Sequence, residues 1–276
     1  MTKLQRVIKY LAIALAVFLT VSIVLGIVRI VVGVAGINKL FSGSSANVDM
    51  PGTTYENEIQ SLEIEMVSVE LTIQSGDEFA VETASKNITQ RERNGKLTIE
   101  ENQIISFGMN KSKSLVITIP EDMEFESVKI DAGAGNIEIE ALKTKELELD
   151  LGAGEVSVRE LITTKETDID GGAGSITIQS ASLHNLDFDM GLGEVRLVSE
   201  ITGNSDIDFG VGETNITLLG DLNDYQIRMN RGLGEATLDG EHMKDDVWYG
   251  EGSNRIEMDG GVGAVAIAFE NKSSAL

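Results

Sequence analysis

Apolar and polar residues alternate with a period of two along most of the chain beyond residue 126, the mark of strands with one buried face. The apolar positions include Val128 and Ile130, Leu147, Leu149 and Leu151, Leu186, Phe188 and Met190, and Tyr225, Ile227 and Met229. Each run meets a Gly-x-Gly triplet, and beyond it the alternation resumes one step out of phase, at Ile137 and Ile139, Val156 and Val158, Ile176 and Ile178, Val195 and Leu197, Ile216 and Leu218, and Val265 and Ile267. A one-residue change of phase is what a bulge or corner produces, and glycine suits it by accepting positive φ and close backbone approach. The residue between the glycines (Ala134, Ala153, Ala173, Leu192, Val211, Leu233, Val262) continues the phase of the strand before it and is expected to point inward.

The triplet is part of a longer repeat, Asp-x-Gly-x-Gly. The glycine pairs are Gly133 and Gly135, Gly152 and Gly154, Gly172 and Gly174, Gly191 and Gly193, Gly210 and Gly212, Gly232 and Gly234, and Gly261 and Gly263. Their first members are 19, 20, 19, 19, 22 and 29 residues apart. One unit is too small to bury its apolar face alone, whereas stacked units bury a continuous core. The pattern predicts an all-β fold, a parallel β-solenoid of about 19–20-residue coils. A third apolar mark at Leu142, Leu161, Leu183 and Ile201 closes each coil. The wide last interval implies longer loops or an irregular coil around Trp248 and Tyr249.

Residues 59–125 are strand-rich but less regular, with Asn94-Gly95 as a hairpin turn and Pro120 as a strand end. This region is expected to cap or open the solenoid; residues 126–276 form the repeats. Ahead of it, Tyr10 to Val28 is a run of 19 uncharged residues, close to what a bilayer-spanning helix needs. Lys3, Arg6 and Lys9 precede the run, which by the positive-inside rule keeps the N-terminus cytoplasmic. The expected order is a cytoplasmic segment 1–9, one N-terminal transmembrane signal-anchor α-helix 10–37 and a flexible stalk 38–58. The chain would then be a single-pass cell-membrane protein with its C-terminal domain extracellular. A cleaved signal peptide is the competing reading, with Val32-Gly33-Val34-Ala35 as the nearest cleavage site.

Charge sharpens this. Residues 1–40 carry five cations and no acid in a chain of net charge −23, which leaves −28 for the remainder. So acidic a surface repels nucleic acid and attracts cations or basic partners. The absence of cysteine excludes disulfides, thiolate metal sites and a cysteine nucleophile.

Stacking would align Asp131, Asp150, Asp170, Asp189 and Asp208. Carboxylates about 5 Å apart repel by roughly 1 kcal/mol in water. Bridging Ca2+ is one way to offset that, which makes this column the candidate metal ladder. Backbone N–H groups of the glycine corner are the other, with the aspartates as turn residues. A second acidic column, Glu155, Glu194, Glu213 and Glu235, follows the corner and reads as a solvated face. His184 and His242 have no triad spacing to Ser and Asp, and the Gly-x-Gly triplets open strands rather than helices, so neither catalysis nor phosphate binding is supported. No cofactor is implied.

An irregular β region, then Val116-Ile117-Thr118-Ile119-Pro120, then Val128-Lys129-Ile130-Asp131-Ala132-Gly133 and the Gly-marked repeats resemble the bacterial β-strand-repeat envelope proteins grouped as putative adhesins, long catalogued as a domain of unknown function. The resemblance spans roughly residues 59–270. It implies a cell-envelope setting, often with membrane anchors and links to envelope stress, and it carries no catalytic residues. The leading reading is a non-enzymatic membrane-anchored protein displaying an acidic solenoid for binding or adhesion, with an envelope protein, a cationic peptide or a wall polymer as partner. A regulatory partner of an envelope-stress sensing system is the alternative. A glycan-active β-helix enzyme is disfavoured because basic residues do not align with the acids between coils.

Overall fold

The structure, a computed structural model, describes residues 52–55, 58–101 and 114–271. The expected cytoplasmic segment 1–9 and transmembrane helix 10–37 lie outside the described residues, as does most of the stretch 38–58. Among the described residues no helix is long and apolar enough to cross a membrane.

The described chain is all-β. Its strands are β1 (Gly52–Thr54), β2 (Ser61–Gly76), β3 (Ala80–Thr83), β4 (Ile88–Arg93), β5 (Lys96–Glu101), β6 (Ser114–Pro120), β7 (Phe125–His184), β8 (Leu186–Thr202), β9 (Asn204–Leu219), β10 (Tyr225–Leu238), β11 (Glu241–His242), β12 (Trp248–Tyr249) and β13 (Asn254–Glu270). A single 3-10 turn, Leu222–Asp224, precedes β10. Strand β1 lies within the stretch read as stalk and pairs antiparallel with β3.

The long strands stack as parallel rungs in register. β2 lies on the start of β7, with Leu62 opposite Val128 and Leu71 opposite Ile137. β8 lies on the end of β7 and β9 on β8. The glycines explain how rungs stack through a corner. A Cβ on Gly152 would sit 2.3 Å from the Gly133 carbonyl oxygen, and one on Gly172 would sit 2.3 Å from that of Gly152. The second glycines are tighter still: a Cβ on Gly174 would lie 1.7 Å from the Gly154 oxygen, where φ is also +145°. Only glycine permits both the close approach and the positive φ.

Alternating side chains then fill one dry interior. Ile130, Leu149, Ile169, Phe188 and Ile207 are buried before the corner, and Ile137, Val156, Ile176, Val195 and Ile216 after it. Leu142, Leu161, Leu183 and Ile201 are buried on the closing side. Buried hydroxyls turn the remaining bends by serving the backbone: Thr144 donates to the Glu146 carbonyl at 2.9 Å, and Ser205 accepts from the Leu186 N–H at 3.0 Å. No buried polar side-chain atom among the described residues lacks a partner, as a closed β core requires.

The inward placement of the central residue is a correction. Those residues form a row, but the row faces outward: Ala134, Ala153 and Ala173 are exposed, and Val211, Val262 and Leu233 are 49%, 48% and 79% exposed. The break in alternation falls at the first glycine, two residues earlier than expected. Ala132 is buried, Gly133 and Ala134 are both outside, and strict alternation resumes from Ala134 to Ile139. The chain bends around its core there, and a residue at the apex of such a bend projects away from it.

Both ends of the stack depart from sequence order. At one end β13, not β10, lies on β9, and β10 lies outside β13. At the other end β2 is sandwiched between β7 and the pair β5 and β6. The first and last long strands are therefore each hydrogen-bonded on both sides. The outermost rungs are closed by antiparallel pieces, β4 on β5, β3 on β6, and β11 and β12 on β10. Such caps suppress edge-to-edge association. The Asn94-Gly95 turn joins β4 to β5 with φ of +55° and +76°, the geometry of a type I′ hairpin.

Candidate binding face

In-register stacking turns the Asp of each repeat into a column. Asp170 is opposite Asp189, Asp189 opposite Asp208, and Asp208 opposite Asp259. Glu65 faces Asp131 at one end, and Asn230 faces Asp259 at the other, donating to its Oδ1 at 2.7 Å. Asp150 belongs to the same row, between Asp131 and Asp170 on one groove. Asp131, Asp150 and Asp170 line one shallow groove beside the corner glycines, and Asp189, Asp208 and Asp259 line its continuation.

A second column, overlooked in the sequence reading, runs beside the first. Asp168 is opposite Asp187, Asp187 opposite Asp206, and Asp206 opposite Glu257. Its signal is the acid two residues before every repeat Asp from Asp150 onward, as in Asp168-Ile169-Asp170 and Asp187-Phe188-Asp189. Period-two alternation puts both acids on one outer face with the intervening residue buried.

Among the described residues, cations guard only the ends of this double column. Lys129 bonds Glu148 near one end. At the other, Arg228 and Arg255 both bond Glu257, and Arg228 also reaches Asp246 at 3.1 Å. The two guanidiniums lie 5.0 and 4.5 Å from the Trp248 ring centroid, within cation–π range. Among the described residues no Lys or Arg is within ion-pair distance of Asp168, Asp170, Asp187, Asp189, Asp206 or Asp208.

The titration of the face follows. Burial, and then the charges of Asp170 and Asp187, push the Asp168 carboxyl above its usual range. Burial, then Asp189 and Asp259, do the same to Asp208. Asp150 is raised by burial and by its bond to Asp170. Glu257 is the exception: burial pushes it up, but bonds from Arg228 and Arg255 outweigh this and hold it low.

The aspartates proposed as a Ca2+ ladder are thus aligned, but in files of facing pairs. Among the described residues no three acidic or histidine side chains converge to hold a metal ion. The post-corner column is interrupted. Glu194 is opposite Glu213, but Ala264 stands between Glu213 and Glu235, because β13 is inserted there. His184 contacts the Thr202 hydroxyl at 2.9 Å and His242 lies 3.1 Å from Glu235. Neither meets a Ser and an Asp together.

Several solved structures are similar to this chain. A putative cell adhesion protein from Clostridium sporogenes is 17% identical, with 80% of this chain and 98% of that one covered and a TM-score of 0.34. A putative adhesin from Bacteroides fragilis is 12% identical, with 82% and 100% covered and a TM-score of 0.37. One from Parabacteroides merdae is 12% identical, with 80% and 95% covered and a TM-score of 0.30. No curated protein matches. The family model described as Toastrack DUF4097 matches residues 59–252, well over half of the chain, and the chain belongs to the Toastrack DUF4097 family.

Proposed function

We propose that this chain is a non-enzymatic, membrane-anchored envelope protein that displays an acidic β-solenoid as a binding surface of adhesion type. The reading rests on one observation, the double carboxylate column of Asp168, Asp170, Asp187, Asp189, Asp206 and Asp208 on a rigid sheet face. Fixed rungs about 4.8 Å apart hold the charges in a regular lattice, and a lattice of one sign recruits partners of the other through its field. The apolar run 10–37 would anchor the chain in the cell membrane, with the acidic part outside. An envelope protein, a cationic peptide or a cation-bridged wall polymer suits such a surface.

The test is binding of the full-length chain to a poly-lysine-coated sensor. The variant D187N/D206N/D208N is compared with E78Q/E121Q/E124Q, which removes the same charge elsewhere. The expected result is at least a ten-fold loss in the first variant and little change in the second. Equal losses would mean that bulk charge, not this face, does the binding.

A further inference from the structure

The outward row at the glycine corner is small at Ala134, Ala153 and Ala173 and bulky over the four rungs that follow. Leu192 is opposite Val211, Val211 opposite Val262, and Val262 opposite Leu233. Val211, Val262 and Leu233 are about half exposed or more, and Leu192 is partly exposed. Four aliphatic side chains on successive rungs make an apolar ridge about 14 Å long. The order that builds it is not the chain order: insertion of β13 puts Val262 into the gap between Val211 and Leu233.

Carboxylates flank this ridge on both sides. Asp189, Asp208 and Asp259 run along one side, with buried Met190 and partly buried Phe209 on the floor between. Glu213 and Glu235 stand on the other, while Glu194 is engaged by Arg196. A second copy of this chain is a poor occupant, because it would set carboxylate against carboxylate. The ridge is also one side chain wide, far short of the roughly 800 Å² per partner of a stable interface. A complementary occupant has an apolar stripe bordered by cations. An α-helix along the stack axis supplies one, since its pitch of about 5.4 Å nearly matches the rung spacing of about 4.8 Å. Each turn then sets one apolar side chain on one rung and sends Lys or Arg to either side.

We infer that the ridge Leu192–Val211–Val262–Leu233 with its acidic flanks is a docking site for a cationic amphipathic helix of about three turns. The inference rests on the display reading above and narrows its partner. The probe is a synthetic helix with leucines in one stripe and lysines beside it. Its comparator has the same composition with the leucines dispersed. Both are titrated into the full-length chain, into V211T/V262T/L233T and into D189N/D208N/D259N. Threonine keeps strand propensity at these exposed positions, and melting temperatures check that the variants fold.

The striped helix is expected to bind the unaltered chain at least ten-fold more tightly than the dispersed one, and to lose that advantage in the threonine variant. Equal binding of the two peptides, or full binding of the striped one by the threonine variant, overturns the docking site. If binding of the striped helix is unchanged in the threonine variant but lost in the asparagine one, acidic display stands and the ridge does not. Insensitivity to both variants sinks both readings at this face. A dimer that the threonine variant abolishes would assign the ridge to a second copy and overturn the inference.

Discussion

Gly261 stacks directly on Gly210: a Cβ added to Gly261 would lie 1.9 Å from the Gly210 carbonyl oxygen. Gly232, nearer in the chain, lies outside Gly261 instead, with its own added Cβ 2.1 Å from the Gly261 oxygen. The last strand has passed inside the one before it. A stack built in chain order could fray rung by rung from its end, but here the terminal strand is held from both sides.

That insertion has a spectroscopic consequence. Trp248 is the one tryptophan of the chain and sits against Arg228 of β10 and Arg255 of β13. Urea unfolding followed by tryptophan fluorescence is expected to coincide with unfolding followed by far-ultraviolet circular dichroism. A fluorescence change well before the loss of strand signal would mean that this end opens independently.

The corner glycines are the least replaceable residues. Gly154→Ala would place a Cβ 1.8 Å from the Gly135 oxygen, with φ at +153°. It should destabilise the protein by about 3 kcal/mol or more. Ala153→Val next to it faces solvent and should shift stability by less than about 0.5 kcal/mol. Chemical denaturation of the pair measures the contrast. Similar losses in both would contradict the stacked corner.

Stability should rise as the solution is acidified from neutrality. Asp150, Asp168 and Asp208 have carboxyls raised above their usual range, by burial first and by bonded or charged neighbours second. Ionising such a group weakens the fold. The penalty is full above the folded pKa and fades as pH falls toward the unfolded value. Glu257 works in the opposite sense: its folded pKa is lowered, so its contribution is lost as pH drops through that pKa. The melting temperature is expected to peak on the acid side of neutrality, and Asp208→Asn should raise it at pH 7 by roughly 1–3 °C. A melting temperature that only falls between pH 7 and pH 5 would show that face repulsion is negligible.

Metal dependence separates pairwise repulsion from coordination. Carboxylates in facing files, with no triple convergence among the described residues, are screened by any divalent ion. Millimolar Ca2+ and Mg2+ at matched ionic strength are expected to raise the melting temperature equally. A larger rise with Ca2+, reversed by chelator, would give the Asp131 to Asp208 file a coordinating role.

The sequence carries the rungs plainly and their order only in part. Gly-x-Gly spacing and the alternation around Ile130 and Ile137 follow from local rules, so the corners and the first Asp column are legible from the repeat. The direction of Ala134 is not, because counting by twos does not reveal which glycine absorbs the break. The exchange of β10 and β13 leaves no local mark either. Both are strands of the same period and corner, and only packing over the whole stack selects which lies inside. The second acid column was written in Asp-x-Asp triplets but became meaningful only once facing rungs were set in register.

The places of Asp259 in the acidic lattice and of Val262 in the apolar ridge depend on β13 lying directly on β9. The chain has no cysteine, so engineered pairs report cleanly. Val211 and Val262 occupy neighbouring rungs, and Val211 and Leu233 are two rungs apart. At about 4.8 Å per rung, only the first pair falls within disulfide reach. Mild oxidation should close a disulfide in V211C/V262C within the folded monomer and leave V211C/L233C reduced; closure in V211C/L233C with V211C/V262C left open would contradict the account.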